Sequence, residues 1–479
     1  MDNVVNREQG LEIFGSGTAQ RRTRPALTHK EAARDIPVFA ETDVLVTGGG
    51  PAGTAAAVSA ARLGARVMLV ERYNHLGGLS TGGLVIWIDR MTDWNGKPVI
   101  AGLAQEFFER LPKDAVMGPP RHSWGSKDAA TAAYWAQRTA AYHGIVTWSP
   151  TLDPEALKTL SMQMVLERKV QLVLHSWAAQ PIVEDNTMRG AIFESKEGRQ
   201  AVLAKVVIDT TGDADLLART NLALESDVDN DDIHHCMNTA FLIGGVDMQR
   251  WLDFRASDPD GFSAFMAKGR KALGFFEKPF TSWRNDVALF MGPRLAGYSA
   301  VNVEDLTAVE IRSRQLTVGH LDVYRKNAPG FENAFLMLGA PQIGVRHSRR
   351  IVGESRVIRA DWSAGRIWDD EIGVSPSLAP KFPSVSVPYG ALVPKAIDGV
   401  LVAGRHISSD ANSHTFLREI PQCWMTGQAA GVAAALAANS GAKPRDLNPR
   451  EIQRQLMRQG AYLSPSVEAA ANGALSAAE

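Results

Sequence analysis

The sequence predicts an α/β fold in which a parallel sheet flanked by helices is interrupted by an inserted α+β domain. Two short apolar runs, residues 44–47 and 67–70, flank a stretch with small residues at helical spacing, 52–63, and together they indicate a βαβ unit. Strand and turn patterns return after Val385, whereas residues 226–384 show amphipathic helices mixed with short strands. The sheet domain is therefore expected to be discontinuous in sequence.

The other elements follow from start signals and apolar runs along the chain. The dipeptide Asp153-Pro154 is a helix start signal, and turn residues such as Asp185-Asn186 separate short apolar runs that are typical of strands. The expected helices are 103–111, 153–168 and 421–438, and the expected strands are 170–174, 180–184, 191–195, 202–208 and 399–403.

These elements divide the 479 residues into four parts. The polar, arginine-rich residues 1–38 are expected to form an N-terminal arm. Residues 39–225 and 385–445 make up the predicted sheet domain, 226–384 the inserted domain and 446–479 a C-terminal tail. A chain of this length can form two lobes, each with its own core.

The composition is that of a globular protein, with 45% hydrophobic and 22% charged residues. A net charge of -1 gives no electrostatic reason to expect a nucleic acid or an anionic membrane as partner. No stretch approaches 18 consecutive apolar residues, so no membrane span is predicted. Cys236 and Cys423 are far apart and form no disulfide framework, which favours a reducing compartment. We expect a soluble, cytoplasmic protein.

A glycine motif joins the first predicted strand to the first helix. Gly48, Gly50 and Gly53 fit the pattern G-x-G-x-x-G, whose glycines permit the tight turn, the approach of a pyrophosphate and the packing of helix on strand. The helix N-terminus offers unpaired N–H groups to the phosphates. Glu71 ends the next strand, where it can accept hydrogen bonds from an adenosine ribose. This order predicts a bound dinucleotide; the alternative is a glycine-rich turn that serves only packing.

Three later segments indicate which dinucleotide is bound. Residues 77–83 form a second glycine-rich loop, at a point where a nicotinamide-dependent enzyme would continue to its next strand. The segment VVIDTTGD at 206–213 is an apolar strand that ends on a glycine between acids, and GVLVAGR at 399–405 is again a strand followed by a glycine. FAD accounts for these segments better, because a longer cofactor needs close backbone approach at more than one loop.

Four motifs carry a resemblance to a known family: GGGPAG with the following Glu71-Arg72, LGGLSTGG, IDTTGD, and LVAGRHIS followed by PQCWMTGQAAGVAAA. With these motifs the chain resembles FAD-dependent oxidoreductases of the glutathione-reductase-like superfamily, in the branch related to fumarate-reductase flavoproteins. The resemblance implies a Rossmann-like FAD-binding domain. The motifs extend over nearly the whole span from residue 44 to residue 438, and they are specific for FAD but not for a substrate.

The resemblance also implies roles for individual residues. Asp209 and Gly212 would lie beside the adenosine and the pyrophosphate, and Gly404 and Arg405 would approach the pyrophosphate and the ribityl chain. The helix that starts near Pro421 would direct its N-terminus at the flavin, where it stabilises the anionic reduced ring. The predicted FAD-binding residues are Gly48, Gly50, Pro51, Ala52, Gly53, Glu71, Arg72, Gly77, Gly78, Leu79, Ser80, Ala178, Asp209, Gly212, Gly404, Arg405 and Pro421.

The segment GVRHSRR at 344–350 supplies the first candidate catalytic residues. Arg346 can bind a carboxylate or an enolate oxygen, and His347 can accept a hydroxyl proton near neutral pH. The related flavoproteins commonly have R-x-S-R-R here, often with an acid in the place of His347, so a role borrowed from them does not carry over to this histidine. For Arg349 and Arg350, salt bridges between the lobes are the favoured interpretation.

A second cluster of candidates lies between the last predicted strand and the last long helix. His406 and His414 are candidate acid/base groups, and the alternative for each is an ordinary hydrogen-bonded loop histidine. Arg418 is a candidate for stabilising the reduced flavin or binding an anionic substrate. Cys423 falls in the first turn of the helix, where packing is favoured over a reactive thiol.

Absent motifs narrow the function. A second G-x-G-x-x-G for NAD(P)H is missing, which disfavours disulfide reductases, and the acidic run before His234-His235-Cys236 lacks zinc-ligand spacing, so no metal is predicted. We expect an FAD-dependent oxidoreductase that dehydrogenates a small organic substrate at a C–OH or C–N carbon, with hydride transfer to flavin N5. The first alternative is a reductase of an activated C=C bond; a flavin monooxygenase and a non-catalytic flavin-binding module are less favoured.

Several properties stay open in the sequence. The arginines of the two clusters suggest an anionic substrate, although some of this charge must neutralise the diphosphate and the reduced flavin. The electron acceptor can be oxygen, a quinone or a protein. The oligomeric state and the identity of the substrate are not specified by any motif.

Overall fold

The computed structural model describes residues 28–226 and 236–476, whose helices and strands are numbered in chain order. The helices α1 to α12 are Pro51–Arg62, Leu103–Arg110, Ala129–Gln137, Pro154–Glu167, Met248–Ser257, Pro259–Leu273, Val303–Asn327, Arg359–Ser363, Ala411–Leu417, Ile420–Ser440, Pro449–Arg458 and Pro465–Ser476. The strands β1 to β22 are Val38–Thr47, Val67–Val70, Val116–Met117, Ala141–Tyr142, Ile145–Val146, Thr151–Leu152, Gln171–Val173, Trp177–Glu184, Thr187–Ser195, Gly198–Asp209, Leu224–Ser226, Met237–Asn238, Phe241–Gly244, Phe280–Thr281, Val287–Phe290, Arg294–Leu295, Phe335–Gly339, Gly344–Val345, Arg349–Ile351, Glu371–Ser375, Val385–Pro388 and Val400–Val402.

Two features predicted from the sequence lie outside the described residues. They are most of the N-terminal arm and the acidic run with His234 and His235. Within 28–226 and 236–476, no group of three or more histidine, cysteine or acidic side chains is arranged to hold a metal ion. None of the helices in these two ranges combines the length and the apolar character that a membrane-crossing segment requires.

The largest sheet has seven strands in the order β7-β2-β1-β10-β9-β8, and β22 pairs with β10 beside this path. Strand β1 is parallel to β2 and to β10, with Val44 opposite both Val67 and Val206. Strand β22 is also parallel to β10. The carboxyl ends of these four strands therefore meet at one edge of the sheet, where open α/β folds bind their ligands. The predicted α/β fold with a βαβ unit is confirmed.

Close packing of two helices holds this edge in place. Residues 44–47 are buried, as expected for a parallel strand covered on both faces. Helix α10 lies against α1, and a Cβ atom on Gly427 would stand 2.1 Å from the carbonyl oxygen of Ala52. A Cβ atom on Gly431 would similarly stand 2.3 Å from the carbonyl oxygen of Ala56. The four-residue spacing of these glycines predicts this packing, and it is confirmed.

The segment from β12 to β18 builds a second core. Its strands form a four-stranded sheet, β14-β15-β13-β17, and a three-stranded sheet, β16-β12-β18. Aromatic side chains fill the space beneath helices α5 to α7: Trp251 contacts the rings of Tyr324 and Phe331, and Phe241 stacks on Phe290 at 4.6 Å. Strands β16 and β12 of the smaller sheet carry the polar side chains Arg294 and Asn238.

Candidate active site

A cleft opens at the carboxyl edge of the main sheet. Most of the predicted FAD-binding residues line it: Gly48, Gly50, Pro51, Ala52, Glu71, Arg72, Gly78, Leu79, Ala178, Gly212, Gly404 and Arg405. Five others do not appear in its wall, namely Gly53, Gly77, Ser80, Asp209 and Pro421. Segments separated by more than 300 residues of chain thus converge on one elongated space.

The three glycines of the first motif have different roles. Gly48 has a φ of +103°, and a Cβ atom there would lie 2.6 Å from the carbonyl oxygen of Thr210. A Cβ atom on Gly53 would lie 1.7 Å from the carbonyl oxygen of Gly48. By contrast, a Cβ atom on Gly50 would have no atom within 4 Å, because it would enter the cleft. The first and third glycines therefore shape the turn, and the second leaves room for a ligand.

The N-terminus of α1 offers unpaired donors to this space. Gly50 is its N-cap, and no side chain accepts a hydrogen bond from the first turn. Gly50, Pro51 and Ala52 all border the cleft. Unpaired N–H groups and the helix dipole favour an anionic group such as a diphosphate. The residues present therefore fit a dinucleotide.

Glu71 has a structural task in addition to the predicted contact with a ribose. Its Oε2 accepts a hydrogen bond from the N–H group of Gly49 at 2.5 Å, and its Oε1 accepts one from that of Tyr73 at 2.8 Å. The carboxylate thus ties the glycine turn to the end of β2. A carboxylate has lone pairs for further donors, so the same group can also receive ribose hydroxyls from the cleft.

The second glycine loop is fastened to the first. The N–H group of Gly77 donates to the carbonyl of Gly49 at 2.8 Å, and a Cβ atom on Gly78 would lie 2.9 Å from the Cα of Gly50. The Ser80 hydroxyl donates to the carbonyl of Gly77 at 2.7 Å. Gly77 and Ser80 therefore hold the loop in shape from behind the wall, while Gly78 and Leu79 form the wall.

An arginine and an acid organise the opposite side of the cleft. Arg405 donates to Asp213 at 2.6 Å, and a Cβ atom on Gly212 would lie 2.9 Å from the Arg405 guanidinium. Burial favours a raised pKa for Asp213, but Arg405 and a hydrogen bond from Ser348 hold this pKa below its ordinary value. Asp209 accepts hydrogen bonds from the Thr211 N–H and hydroxyl, so it fixes the loop.

Helix α10 begins at the cleft, as predicted for the helix near Pro421. Ile420 and Cys423 border the space, and no side chain caps the helix start. The N–H group of Gly404 donates to the Thr426 hydroxyl at 3.1 Å, which joins the loop after β22 to the helix. Burial raises the pKa of the Cys423 thiol to about 12, so this cysteine packs as a neutral thiol.

The predicted histidines lie behind the cleft wall. His347 and His414 are each 2% exposed, and Nδ1 of His347 lies 3.5 Å from Nε2 of His414. Burial lowers the pKa of His414 well below its ordinary value, and the neighbouring His347 and Arg418 add to this shift. His406 is fully buried, with its Nε2 3.6 Å from Oδ1 of Asp209. Burial also lowers the pKa of His406. The structure therefore brings one histidine pair together, away from the cleft surface.

The arginines are placed differently from one another. Arg418 borders the cleft and pairs with Glu419 at 3.1 Å. Arg346 directly follows Val345, which also borders the cleft. The other two arginines of this segment form ion pairs: Arg349 with Asp215 at 2.6 Å, and Arg350 with Glu225 at 3.3 Å. The salt bridges favoured for Arg349 and Arg350 are confirmed.

Residues 43–456 match the model of the FAD dependent oxidoreductase family. The chain belongs to this family. The protein is therefore an enzyme with oxidoreductase activity, and FAD is its cofactor. No match to the sequence was found among curated proteins.

Solved structures of flavoenzymes are similar to this FAD-dependent oxidoreductase. A geranylgeranyl bacteriochlorophyll reductase-like protein from Thermoplasma acidophilum is 15% identical, with a TM-score of 0.45 over 87% of this chain and 82% of that chain. The flavin-dependent brominase Bmp2 is 12% identical, with a TM-score of 0.43 over 86% and 83%. The anhydrotetracycline hydroxylase OxyS from Streptomyces rimosus is 14% identical, with a TM-score of 0.38 over 88% and 66%.

The structure of the oxidoreductase also reveals polar residues that the sequence did not indicate. Glu277 is 4% exposed, and its Oε2 lies 3.4 Å from the Arg294 guanidinium. Asn238 on β12 lies between Arg294 on β16 and Gly344 on β18. No local motif marks these side chains, because three segments that are distant in sequence meet only when the small sheet forms.

Proposed function

We propose that this enzyme dehydrogenates a small anionic organic substrate at a carbon that bears a hydroxyl or an amino group. When bound, FAD supplies the hydride acceptor, the N5 atom of its flavin. The observation that carries the proposal is the position of Arg418 in the cleft wall, with Arg346 directly after the wall residue Val345. The Arg418 guanidinium in the wall of a flavin cleft suits a substrate carboxylate, and Arg346 would add a second such group.

The chain contributes binding, orientation and proton transfer in this proposal. The backbone of the glycine turns and the N-terminus of α1 would hold the diphosphate, and Glu71 would hold the ribose. Arg346 and Arg418 would orient the substrate through its carboxylate. Burial lowers the pKa of His414, so this ring is neutral at physiological pH and a weak base; from behind the cleft wall His347 and His414 would pass on the proton released from the substrate hydroxyl or amine, without retaining it.

Anaerobic mixing of the FAD-loaded enzyme with a library of hydroxy acids, amino acids, alcohols and amines tests the proposal. At least one carboxylate-bearing member should bleach the visible flavin absorbance, and its uncharged amide should do so much more slowly. His347→Ala and His414→Ala should slow this bleaching in a single turnover. If no member of the library bleaches the flavin, or if both variants react at the unaltered rate, the proposal is wrong.

Reduction of an activated C=C bond is the second candidate. It is supported by the sequence motifs similar to the fumarate-reductase-related branch, and the same two arginines would suit the carboxylate of an unsaturated acid. In this case only low-potential electron donors would bleach the flavin, and an unsaturated acid would restore its colour. Rapid bleaching by a saturated hydroxy or amino acid would instead favour dehydrogenation.

A further inference from the structure

Another cavity lies beside helix α2, and within the described part of the chain its wall shares no residue with the FAD cleft. The lining of this aromatic cavity is mainly apolar and includes the rings of Phe108, Trp124 and Trp148. Its polar members are Gln105, Glu109 and Arg121. Cavities that bind small molecules commonly combine an apolar, aromatic lining with a few polar groups. The composition of the wall therefore suits a ligand of its own.

Two tryptophan rings make up the aromatic part of the wall. The ring centroids of Trp124 and Trp148 are 4.9 Å apart at an interplanar angle of 32°, and Phe108 meets Trp148 edge-on at 5.7 Å. All three side chains are only partly buried. The indole N–H group of Trp124 donates to the carbonyl of Pro119 at 2.9 Å, which fixes the orientation of this ring. Partly exposed rings of fixed orientation can stack on the planar ring of a ligand.

Close packing behind both tryptophans sets the shape of the wall. Gly125, directly after Trp124, has a φ of +79°, and a Cβ atom there would lie 2.5 Å from the carbonyl oxygen of Asn95. A Cβ atom on Gly118 would lie 2.8 Å from Cζ3 of the Trp148 ring. Glycine is thus required at both positions for the two rings to lie where they do, and the cavity is a defined part of the fold.

Arg121 brings an unused positive charge to the aromatic cavity. Its side chain is exposed, and it makes neither a hydrogen bond nor an ion pair to residues 28–226 or 236–476. Its Cζ lies 5.9 Å from the centroid of the Trp124 ring, at the outer limit of a cation–π contact. Glu109, by contrast, already accepts a hydrogen bond from Gln105 at 2.5 Å. A free cation beside an engaged acid favours a ligand with a negative charge.

We propose that the aromatic cavity binds an aromatic carboxylate, with the ligand ring against Trp124 and Trp148 and the carboxylate on Arg121. The ring would remove apolar tryptophan surface from water, and the guanidinium would gain a partner that fits its pair of parallel donors. Glu109 opposes the negative charge of the ligand and so limits its affinity. The site lies outside the FAD cleft and does not depend on the dehydrogenation proposed above.

The test uses the FAD-loaded full-length protein, titrated calorimetrically with phenylpropionate and indolepropionate. The uncharged amide of each probe should bind about tenfold more weakly, because the charged hydrogen bonds to the guanidinium are lost. Cyclohexylpropionate should bind about threefold more weakly than phenylpropionate, because a saturated ring cannot stack. The visible absorbance of the flavin should stay unchanged at saturation, since the probe lies outside the cleft.

Three variants separate the polar residues of the wall. Arg121→Gln should weaken the binding of phenylpropionate by about tenfold, to the level of the amide. Glu109→Gln should strengthen it by about two- to fivefold, because a repelling charge is removed. The matched control is Arg138→Gln, which should leave the affinity unchanged: the Arg138 guanidinium also lies over an aromatic ring, that of Tyr134 at 3.8 Å, but outside the cavity.

Several results would overturn the proposal. They are the absence of binding by both carboxylates at millimolar concentration, equal affinities of carboxylate and amide, and equal effects of Arg121→Gln and Arg138→Gln. Tighter binding of the cation phenyltrimethylammonium would assign the cavity to ligands of the opposite charge. A probe that shifts the flavin absorbance and loses affinity in Arg418→Gln, but not in Arg121→Gln, would lie in the cleft and would equally refute the second site. Phenylpropionate has neither a hydroxyl nor an amino group, so these titrations involve no turnover, and their outcome is independent of whether the enzyme dehydrogenates its substrate.

Discussion

The two sides of the cleft are built from different parts of the polypeptide. The sheet side presents mainly backbone, at Gly48, Gly50 and Gly78, and its acid Glu71 is held by two N–H groups. The other side presents long charged side chains, among them Arg405 and Arg418. The backbone side can bind one shared cofactor through fixed geometry, whereas the side-chain side can be adapted to a particular substrate by substitution.

The difference also determines how each side responds to change. In a binding site made of backbone, an added side-chain atom clashes wherever two backbone segments are in contact. Few groups in such a site titrate. A charged cluster tolerates changes of shape better, but burial of its ionisable groups costs free energy that depends on pH. Substitutions on the sheet side should therefore affect folding or cofactor affinity, and those on the other side should affect substrate binding and the pH profile.

The largest effect is expected for Gly53→Ala on the sheet side. The new Cβ atom would stand 1.7 Å from the carbonyl oxygen of Gly48, and the obstacle is backbone that cannot move without opening the turn. We expect a loss of more than about 4 kcal/mol in the free energy of unfolding, or no folded protein at all. Thermal unfolding of the purified variant measures this loss. A variant with wild-type stability would show that the turn is far more deformable than this geometry implies.

The second prediction concerns the pH dependence of the free energy of unfolding, to which His320 contributes. His320 is fully buried with a pKa of about 4, whereas an unfolded chain protonates histidine near its ordinary value of 6.5. Between these two values the unfolded state binds more protons, so stability is complete above pH 6.5 and falls as the pH drops toward 4. This one group accounts for about 3 kcal/mol over that interval.

Urea unfolding at a series of pH values from 7 to 4.5 measures this dependence. His320→Gln should make the curve shallower by about one proton, because the glutamine amide does not titrate. His406 and His414, whose pKa values burial also lowers, should account for part of the slope that remains. An unchanged slope in His320→Gln would exclude His320 as the titrating group.

The sequence predicted the sheet side well because its determinants are local. Apolar runs, small residues at helical spacing and glycines appear together within residues 44–71. In this order they are compatible with one local structure, a strand, a tight turn, a helix and a second strand. Arg418 could also be placed, because it precedes the helix that begins at Ile420. Ala178 was also among the predicted FAD-binding residues, and it lines the cleft.

The other side could not be predicted to the same depth. Glu277 lies between α6 and β14 and meets Arg294 of β16 through a tertiary contact that no short motif encodes, so neither was a candidate. His347 and His414 were candidate acid/base groups, but the structure places both behind the cleft wall, because the direction of each side chain depends on how β18, β19 and α9 pack. The sequence contains the residue types; the tertiary contacts decide which of them face the cleft.

The third prediction compares two neighbouring arginines, one expected to act in substrate binding and the other in stability. For the carboxylate-bearing substrate that bleaches the flavin, Arg346→Gln should raise the dissociation constant by about 10- to 100-fold, since one charged hydrogen bond contributes roughly 1.5–3 kcal/mol. Arg349→Gln removes the ion pair with Asp215 and should instead lower stability, with little effect on the binding of this substrate. Equal effects of the two changes on substrate binding would mean that the cluster acts as a whole and that Arg346 has no special place in it.

The smallest effect is expected for Gly50→Ala, and it tests the sheet side most selectively. A Cβ atom at this position has no neighbour within 4 Å, and the backbone φ of -67° is accessible to alanine. Stability without FAD should therefore stay within about 0.5 kcal/mol of the wild type. The methyl group would nevertheless occupy the space in which the diphosphate approaches the start of α1, so the dissociation constant of FAD should rise by about tenfold, or roughly 1.4 kcal/mol. Fluorescence titration of the apoenzyme with FAD measures this constant. A variant that binds FAD as tightly as the wild type would place the diphosphate away from Gly50, and the division of tasks among the three glycines would then need a different explanation.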